Sequence, residues 1–518
     1  MSIEQYPSIF NDVIGPVMVG QSSSHTAASV RIGNVIRQFA GNSTVKKIKF
    51  TFDTEGSLAA TYSSQGSDIG LLSGLLGYET FDKRIPDAFK YADEAGIDCS
   101  FEVREMGPPP QGTRHPNTYY IDFTAGCGKE INLTAVSTGG GMFEITEYMG
   151  FPVSIDGGFF ETLIICGNRE SAAIVQKINE ALCHRHIVSV CENNGKFLVN
   201  IKSEEDVNFD FPGTEIVKIR PLMPVTSQIT PLVPFVTAGE IINYSANNNL
   251  QFWELAVLYE SRRSGLSPDA VVKIMSGIVD TLKQSLKQAL EAPDNNEVKD
   301  RILPNQSRLI EKSSRLLGGS FNKNVIKYVT RFMDIKTSMG VFVAATTAGS
   351  CGCVSGCIFA LAEELGLGDD ETTKAFLCAG LVGVIIAYHS TFAAEVCGCQ
   401  AECGAGSGMA AAACAAVLGA PAKTCLSAAS MALQNILGLV CDPVGNKVEV
   451  PCLGKNIMSA FNAIASANMA VSGYDEVIPL DETITAMDAV GRSIPRELRC
   501  TGLGGLSVTK TSLKRNNK

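Results

Sequence analysis

Apolar residues recur along this chain with two different periods, and the change from one to the other divides it. Through the first 155 residues, short apolar runs alternate with Gly-rich polar segments. Lys47–Phe52 and Tyr119–Phe123 read as strands, and Ala27–Phe39, entered through a Ser/His/Thr segment, has helical spacing. Residues 1–155 are therefore expected to form an α+β (α/β-like) domain. Residues 156–220 read as a smaller unit. It has a strand over Glu161–Cys166 and a helix over Glu170–Leu182, with Ala173, Ile174, Ile178 and Leu182 on one face. Two more strands, Ile187–Glu192 and Lys196–Ile201, flank an Asn193-Asn194-Gly195 turn. Pro221, Pro224, Pro231 and Pro234 then mark 221–240 as a linker. From 241 to 518 the pattern is helical: Ile274, Ile278, Leu282, Leu286 and Leu290 recur every four residues. Ala- and Gly-rich segments follow with few strand signals, so this part is expected to be an all-α domain.

Composition narrows the function. A chain of 518 residues with 45% apolar content has material for several cores. Net charge is −10, which argues against a nucleic-acid or anionic-membrane surface. The basic tail Lys510–Lys518 is expected to be merely solvated. Met1–Phe10 lacks the basic and apolar regions of a targeting segment. The longest apolar runs, Phe376–Tyr388 and Met409–Ala420, fall short of a membrane span and predict buried helices. The 17 cysteines are unevenly placed, five before residue 200 and twelve between 351 and 500. An odd number without a secretory signal points to a reducing, cytoplasmic setting rather than a disulfide framework. The β-α-β-β order of 156–220 resembles an ACT regulatory module, with a plain α+β subdomain as the alternative.

The cysteines are the candidate chemistry. Gly398-Cys399-Gln400-Ala401-Glu402, Leu437–Val444 with Cys441-Asp442-Pro443, and Val448–Cys452 place three thiols 42 and 11 residues apart. Flanking Pro and Asp-Pro put Cys441 and Cys452 at helix ends or in loops, where thiols are accessible and can converge on a cluster. Cys378, Cys414 and Cys425, set among alanines and leucines, read instead as small buried hydrophobes. Cys351, Cys353 and Cys357, and Cys397, Cys399 and Cys403, are close enough for zinc but lack paired CxxC spacing.

These segments resemble the α-domain of the iron–sulfur-dependent L-serine dehydratases. The resemblance also rests on Thr347–Ser350, the Gly406-Ser407-Gly408-Met409 run into alanines, and Gly504-Gly505-Leu506. It implies that Cys399, Cys441 and Cys452 ligate a [4Fe–4S] cluster with one iron free of protein thiolate, a Lewis acid of the open-site kind. The N-terminal part resembles the family's β-domain through Ser22-Ser23-Ser24-His25-Thr26, His115-Pro116-Asn117 and Ser137-Thr138-Gly139-Gly140-Gly141. A hydroxyl-rich helix entrance suits a carboxylate, although Ser and Thr there are also ordinary caps. Glycines let backbone N–H groups approach a ligand. The resemblance thus implies a single-chain lyase, β-domain then α-domain, that turns L-serine into pyruvate and ammonia in amino-acid catabolism and gluconeogenesis. Ser22, Ser23, Ser24, Thr26, Asn117, Gly139, Gly140 and Gly141 would hold the amino acid. His25, His115 or His389 would take the Cα proton. A homodimer is the implied assembly.

The chain departs from that pattern in three places. Gln65 stands where the family has a histidine, and glutamine exchanges no proton near neutral pH. Tyr388–Ala393 replaces an Asn-Ala-Ser-Ile-Ser-Gly stretch and brings in His389. Cys500 replaces a glutamate, and the chain ends in Lys518 rather than in a cysteine that could reach the open iron. Two alternatives therefore stay open: β-elimination on another substrate such as threonine or cysteine, and a non-catalytic thiol-rich amino-acid sensor.

Overall fold

The computed structural model describes residues 6–41, 45–108, 114–182, 185–291 and 301–516. The first elements among the described residues are a π-helical turn, Ile9–Val13, and a short strand β1 (Ile14–Met18). It then builds one mixed sheet from β2 (Lys47–Asp53), β3 (Asp98–Arg104), β4 (Thr118–Thr124), β5 (Glu130–Gly139), β6 (Met142–Tyr148) and β7 (Phe151–Ile155). The order is β3-β2-β4-β5-β6-β7, parallel only between β2 and β3. β4 and β5 bury every second residue, as the alternation of Tyr119, Ile121 and Phe123 requires. Two helices, Ala28–Phe39 and Ser67–Leu75, pack tightly against one another over this sheet. Glycines permit the approach: a Cβ on Gly74 would lie 2.1 Å from the Val30 carbonyl. The shared core holds Phe50, Phe52, Tyr119, Phe143 and Tyr148.

A second, antiparallel sheet follows, β8 (Phe160–Gly167), β9 (His186–Asn193), β10 (Lys196–Ser203) and β11 (Glu215–Ile219), in the order β11-β8-β10-β9. Asn168–Ala181 is its helix, and Ile174 and Ile178 meet Ile164, Val199 and Ile201. β9 and β10 pair Asn193 with Lys196, leaving a two-residue turn. Asn194 and Gly195 both have positive φ, 51° and 75°, the pairing a hairpin turn of the primed type demands. The fourth strand extends the β-α-β-β order expected from the sequence.

The proline-rich stretch is not a free linker. Asn11 brackets the Val225 backbone through its amide, Nδ2 to the carbonyl at 2.6 Å and Oδ1 from the N–H at 3.1 Å. Val225, Ile229 and Phe235 are buried. The segment is a strap held to the core by side-chain amides and apolar residues.

The C-terminal half is a layered stack of helices around Cys403–Val417, whose neighbours are Cys351–Leu365, Asp369–His389, Ala422–Gln434 and Cys452–Val471. Its alanines and glycines keep the side-chain layer thin, so the helices approach closely. Asp369–His389 has the length and apolarity of a membrane span, but 78% of its apolar window is buried, as befits a core helix. Pro268–Glu291 buries Ile278, Leu282 and Leu286 of the expected stripe, whereas Leu290 at its end is exposed.

The half is not purely helical. A four-residue strand, β12 (Phe342–Ala345), pairs antiparallel with β1. Ile9, Phe10, Val13, Ile14 and Met18 belong to the helical core rather than to the first sheet. The segment 9–18 therefore reaches across the seam between the halves. The basic tail also folds: Lys510–Asn516 is helical and buried Ser512 accepts the Gly445 N–H at 3.2 Å, while residues 517–518 lie outside the described residues.

Candidate active site

The seam collects most of the polar residues singled out in the sequence. Ser22 caps a tight turn, Ser23–Ala27, that runs into Ala28–Phe39, and all five turn residues are buried. His25 is wholly inaccessible. Its Nε2 lies 2.7 Å from Thr61 Oγ1, and that hydroxyl donates to the Ser57 carbonyl at 2.8 Å. Thr61 has one proton, already given, so His25 Nε2 carries the N–H and Nδ1 is the acceptor. The Ser22 hydroxyl, 3.0 Å away, donates to Nδ1. Burial alone pushes the imidazole pKa down to about 3, so it is neutral. Ser23 Oγ accepts the Ala348 N–H at 3.1 Å and Thr26 Oγ1 donates to the Gln65 carbonyl at 2.9 Å. Ser24 is buried in the same turn.

Asn117 and Ser137 stand on adjacent strand ends, joined by the Ser137 N–H to the Asn117 carbonyl at 3.1 Å. Asn117 is fully buried and neither amide atom completes a hydrogen bond; buried Ser137 Oγ is equally unpartnered. His115, half-buried, accepts the Asn117 N–H on Nδ1 at 3.2 Å, and burial pushes its pKa to about 4. Gly139, Gly140 and Gly141 all have positive φ, 109°, 60° and 96°. A Cβ on Gly139 would lie 2.9 Å from the Ala393 nitrogen, and one on Gly141 2.9 Å from the Pro16 ring. The loop is thus wedged between the helical half and β1, where a side chain would force the seam open.

Opposite this loop is a carboxylate that the sequence reading did not select. Glu395, on the short helix Ala394–Cys397, is buried, with Oε1 3.7 Å from His25 Nδ1 and Oε2 without a partner. Burial raises its pKa, which its own backbone N–H and then the neighbouring Asn117 amide partly offset. Three buried, unsatisfied polar groups in one place cost stability, about 1–3 kcal/mol each. A small polar ligand with both donors and acceptors would satisfy them.

The thiols form the adjoining wall. Cys399, Cys403, Cys441 and Cys500 lie in one buried group with Ala394 and Leu439, so Glu395 directly follows a member of it. Cys399 opens a 3-10 turn, Cys441 lies outside the named strands in an isolated β-bridge with Arg499, and Cys452 opens the helix Cys452–Val471. These positions at element ends agree with the sequence, but the expected accessibility does not: the three are only 3%, 7% and 8% exposed. Gln400 explains the enclosure, since it donates to the Met487 carbonyl and accepts the Gly438 N–H, clamping its loop to the next. Burial pushes the Cys452 thiol up to about 12, against the pull of Lys336 and Lys455. Both ammonium groups are anchored: Lys336 on the Val448 carbonyl at 2.6 Å, Lys455 on the Val440 carbonyl at 2.6 Å and Asp442 at 2.9 Å. Among the described residues, no three acidic, His or Cys side chains are grouped closely enough to hold a single metal ion.

Cys500 joins the two walls. Its N–H donates to the Cys441 carbonyl at 2.9 Å, its own carbonyl accepts the Ser57 hydroxyl at 2.8 Å, and Gln65 Nε2 donates to its sulfur at 3.4 Å. His389 stands apart. It is exposed, with Nε2 3.1 Å from the Val236 carbonyl on the strap and its ring edge-on to Tyr388. Thr61, Lys336, Lys455 and Glu395 were missed in the sequence. For Glu395 the signal was an acid inside the apolar run Phe392–Cys397.

Comparison with known proteins bears on both walls. The family model for the serine dehydratase alpha chain matches residues 247–507. The chain is 35% identical over 280 residues to the L-serine dehydratase alpha chain of Peptoniphilus asaccharolyticus, covering 54% of this chain and 96% of that one. It is 42% identical over 161 residues to the probable L-serine dehydratase beta chain of Bacillus subtilis, covering 31% and 69%. It is also similar to L-serine dehydratase 1 of Escherichia coli, 24% identical over 513 residues, covering 95% and 97%.

Proposed function

Because the chain belongs to the serine dehydratase family, we propose that it removes water and ammonia from L-serine to give pyruvate, at the seam between its two walls. The observation that carries this reading is the group of unpartnered buried atoms on Asn117, Ser137 and Glu395 beside the buried thiols. A β-hydroxy α-amino acid offers a carboxylate, an ammonium and a hydroxyl to complete them.

The same reading assigns Cys399, Cys441 and Cys452 to a [4Fe–4S] cluster. The donor set suits it: soft thiols at the starts of short or long helical elements and on a bridged loop, with Lys336 and Lys455 close enough to offset thiolate charge. When bound, the cluster supplies a Lewis-acidic iron for the departing hydroxyl. The chain does the rest. Asn117 and the Ser22–Thr26 turn hold the carboxylate and ammonium, Gly139–Gly141 lets backbone approach the ligand, and the closed seam excludes water. Pinned by Thr61 and Ser22, neutral His25 orients the Ser22 hydroxyl rather than accepting a proton. The small sheet, in the order β11-β8-β10-β9 with one helix, supports an ACT-like reading of 156–220, with a loop over 204–214 in place of a second helix. The units are then 1–155, 156–220, the strap 221–240 and 241–518, with β1 shared across the seam.

The test is anaerobic reconstitution with iron and sulfide, followed by pyruvate and ammonia release from L-serine, L-threonine and L-cysteine. Pyruvate from serine that disappears on exposure to air and in Cys399→Ala is the expected result. An assembled cluster that turns over none of the three overturns the enzyme reading in favour of a sensor.

A further inference from the structure

We propose that Glu395 is the base that removes the Cα proton. The inference rests on the β-elimination reading above and deepens it by assigning the proton acceptor.

The histidines, the lysines and Glu402 each already carry a partner. His25 gives its Nε2–H to Thr61 and receives the Ser22 hydroxyl on Nδ1, so neither nitrogen has a free lone pair. His115 spends Nδ1 on the Asn117 N–H. His389 is exposed on the strap side. Lys336 and Lys455 donate to carbonyls and are cations facing the thiols. Glu402 accepts the Thr347 hydroxyl at 2.6 Å. Glu395 alone of these combines burial, adjacency to Asn117 and a carboxyl oxygen with no partner.

Its surroundings suit the task. A carboxylate removed from water is a stronger base than one in solvent, and a bound substrate ammonium favours the ionised form that burial disfavours. The atoms balance without a further reagent. The Cα proton passes to Glu395 Oε2, the C–H electron pair becomes the Cα=Cβ bond, and the Cβ–O bond breaks with hydroxide departing. The proton on Glu395 then combines with that hydroxide as water, and the enamine tautomerises and hydrolyses to pyruvate and ammonia.

The test uses reconstituted holoenzyme and the variants Glu395→Gln and Glu395→Asp. For Glu395→Gln, iron and sulfide content stay at the wild-type level and serine affinity, read from the cluster's absorbance on titration, changes less than about threefold. Its kcat falls by about 10²–10⁴-fold, the usual contribution of a general base. For Glu395→Asp, kcat falls less and the acidic limb of its pH profile moves. Glu395→Gln that keeps kcat within about tenfold overturns the proposal. So does iron loss in Glu395→Gln with an unmoved limb in Glu395→Asp, which makes the residue structural. Wild-type protein that yields no pyruvate overturns the β-elimination reading itself.

Discussion

Two groups of buried cysteines share the helical half, and their surroundings differ in kind. Cys353, Cys357, Cys378, Cys414 and Cys425 lie inside helices, with Cys357 and Cys414 sulfurs 3.5 Å apart. Their helical backbone is satisfied, alkyl groups surround them, and burial holds Cys378 far above the ordinary thiol range and Cys425 at about 12. Cys399, Cys441, Cys452 and Cys500 are about as buried, yet they sit where elements end, beside anchored lysines and a polar seam. Burial therefore does not separate a ligand thiol from a packing thiol. What differs between these two groups is a place at an element end, which frees a sulfur to aim, and a nearby fixed cation, which stabilises its anion, and the proposed cluster assignment rests on those features.

The largest effect expected from that difference is on Cys441→Ala. Reconstituted anaerobically, it should lose bound iron and more than about 100-fold of serine turnover, beyond the 10–100-fold typical of outer partners. Iron and pyruvate assays on one preparation read both. Next comes Lys455→Met, which leaves every thiol in place. Removing the ammonium from Val440 and Asp442 loosens the Cys441 loop and strips positive charge from the thiolates. Iron affinity in chelator competition should fall about 10–100-fold, with the fold intact. Unchanged affinity would mean that the cation does not distinguish the two groups.

Acid probes the seam beside the second group. His25 is held neutral, its pKa about 3 in the fold against an ordinary value of 6.5. Between these values the unfolded chain binds a proton that the folded chain does not, so the stability contribution falls as pH drops below 6.5. The loss is about 1.4 kcal/mol per pH unit. Glu402, raised to about 7, acts in the opposite direction but is common to wild type and His25→Gln. In urea unfolding between pH 4 and 6.5, the stability difference between the two proteins should change with that slope, to the variant's relative advantage in acid. A constant difference would show His25 to be reachable by protons in the folded state.

How much of this was legible follows from local chemistry. The alternation around Tyr119 and Phe123 and the Asn194-Gly195 turn each prescribe one backbone conformation, so β4 and the β9–β10 hairpin are written in short stretches. The thiol segments were legible as motifs because glycines and prolines mark their breaks. β12 was not: four apolar residues, Phe342–Ala345, look the same in a strand or a buried helix, and only pairing with β1 decides. Proline spacing around 221–240 showed where regular structure stops but not that Asn11, more than 200 residues away, ties the strap down. Glu395 was hidden by the same limit, since its neighbours Asn117 and His25 come from the other half. His389, near a thiol in sequence, meets the Val236 carbonyl of the strap in the fold, a contact that sequence proximity does not reveal.

The smallest effect belongs to the packing thiols, and it completes the comparison. Cys357→Ala removes one sulfur from the contact between Cys351–Leu365 and Cys403–Val417, with Cys414 left facing a small void. The helices are fixed by many other buried residues, and no cation or chain end is disturbed. The cost should be about 1 kcal/mol of unfolding stability, near the centre of single-substitution effects. Iron content and serine turnover should match wild type. The same alanine placed at residue 441 or 357 would then give opposite outcomes, function lost with stability largely kept, or stability trimmed with function kept. Iron loss in Cys357→Ala would instead show that the helix-buried thiols belong to the cluster site, and the distinction drawn from backbone breaks and fixed lysines would fail.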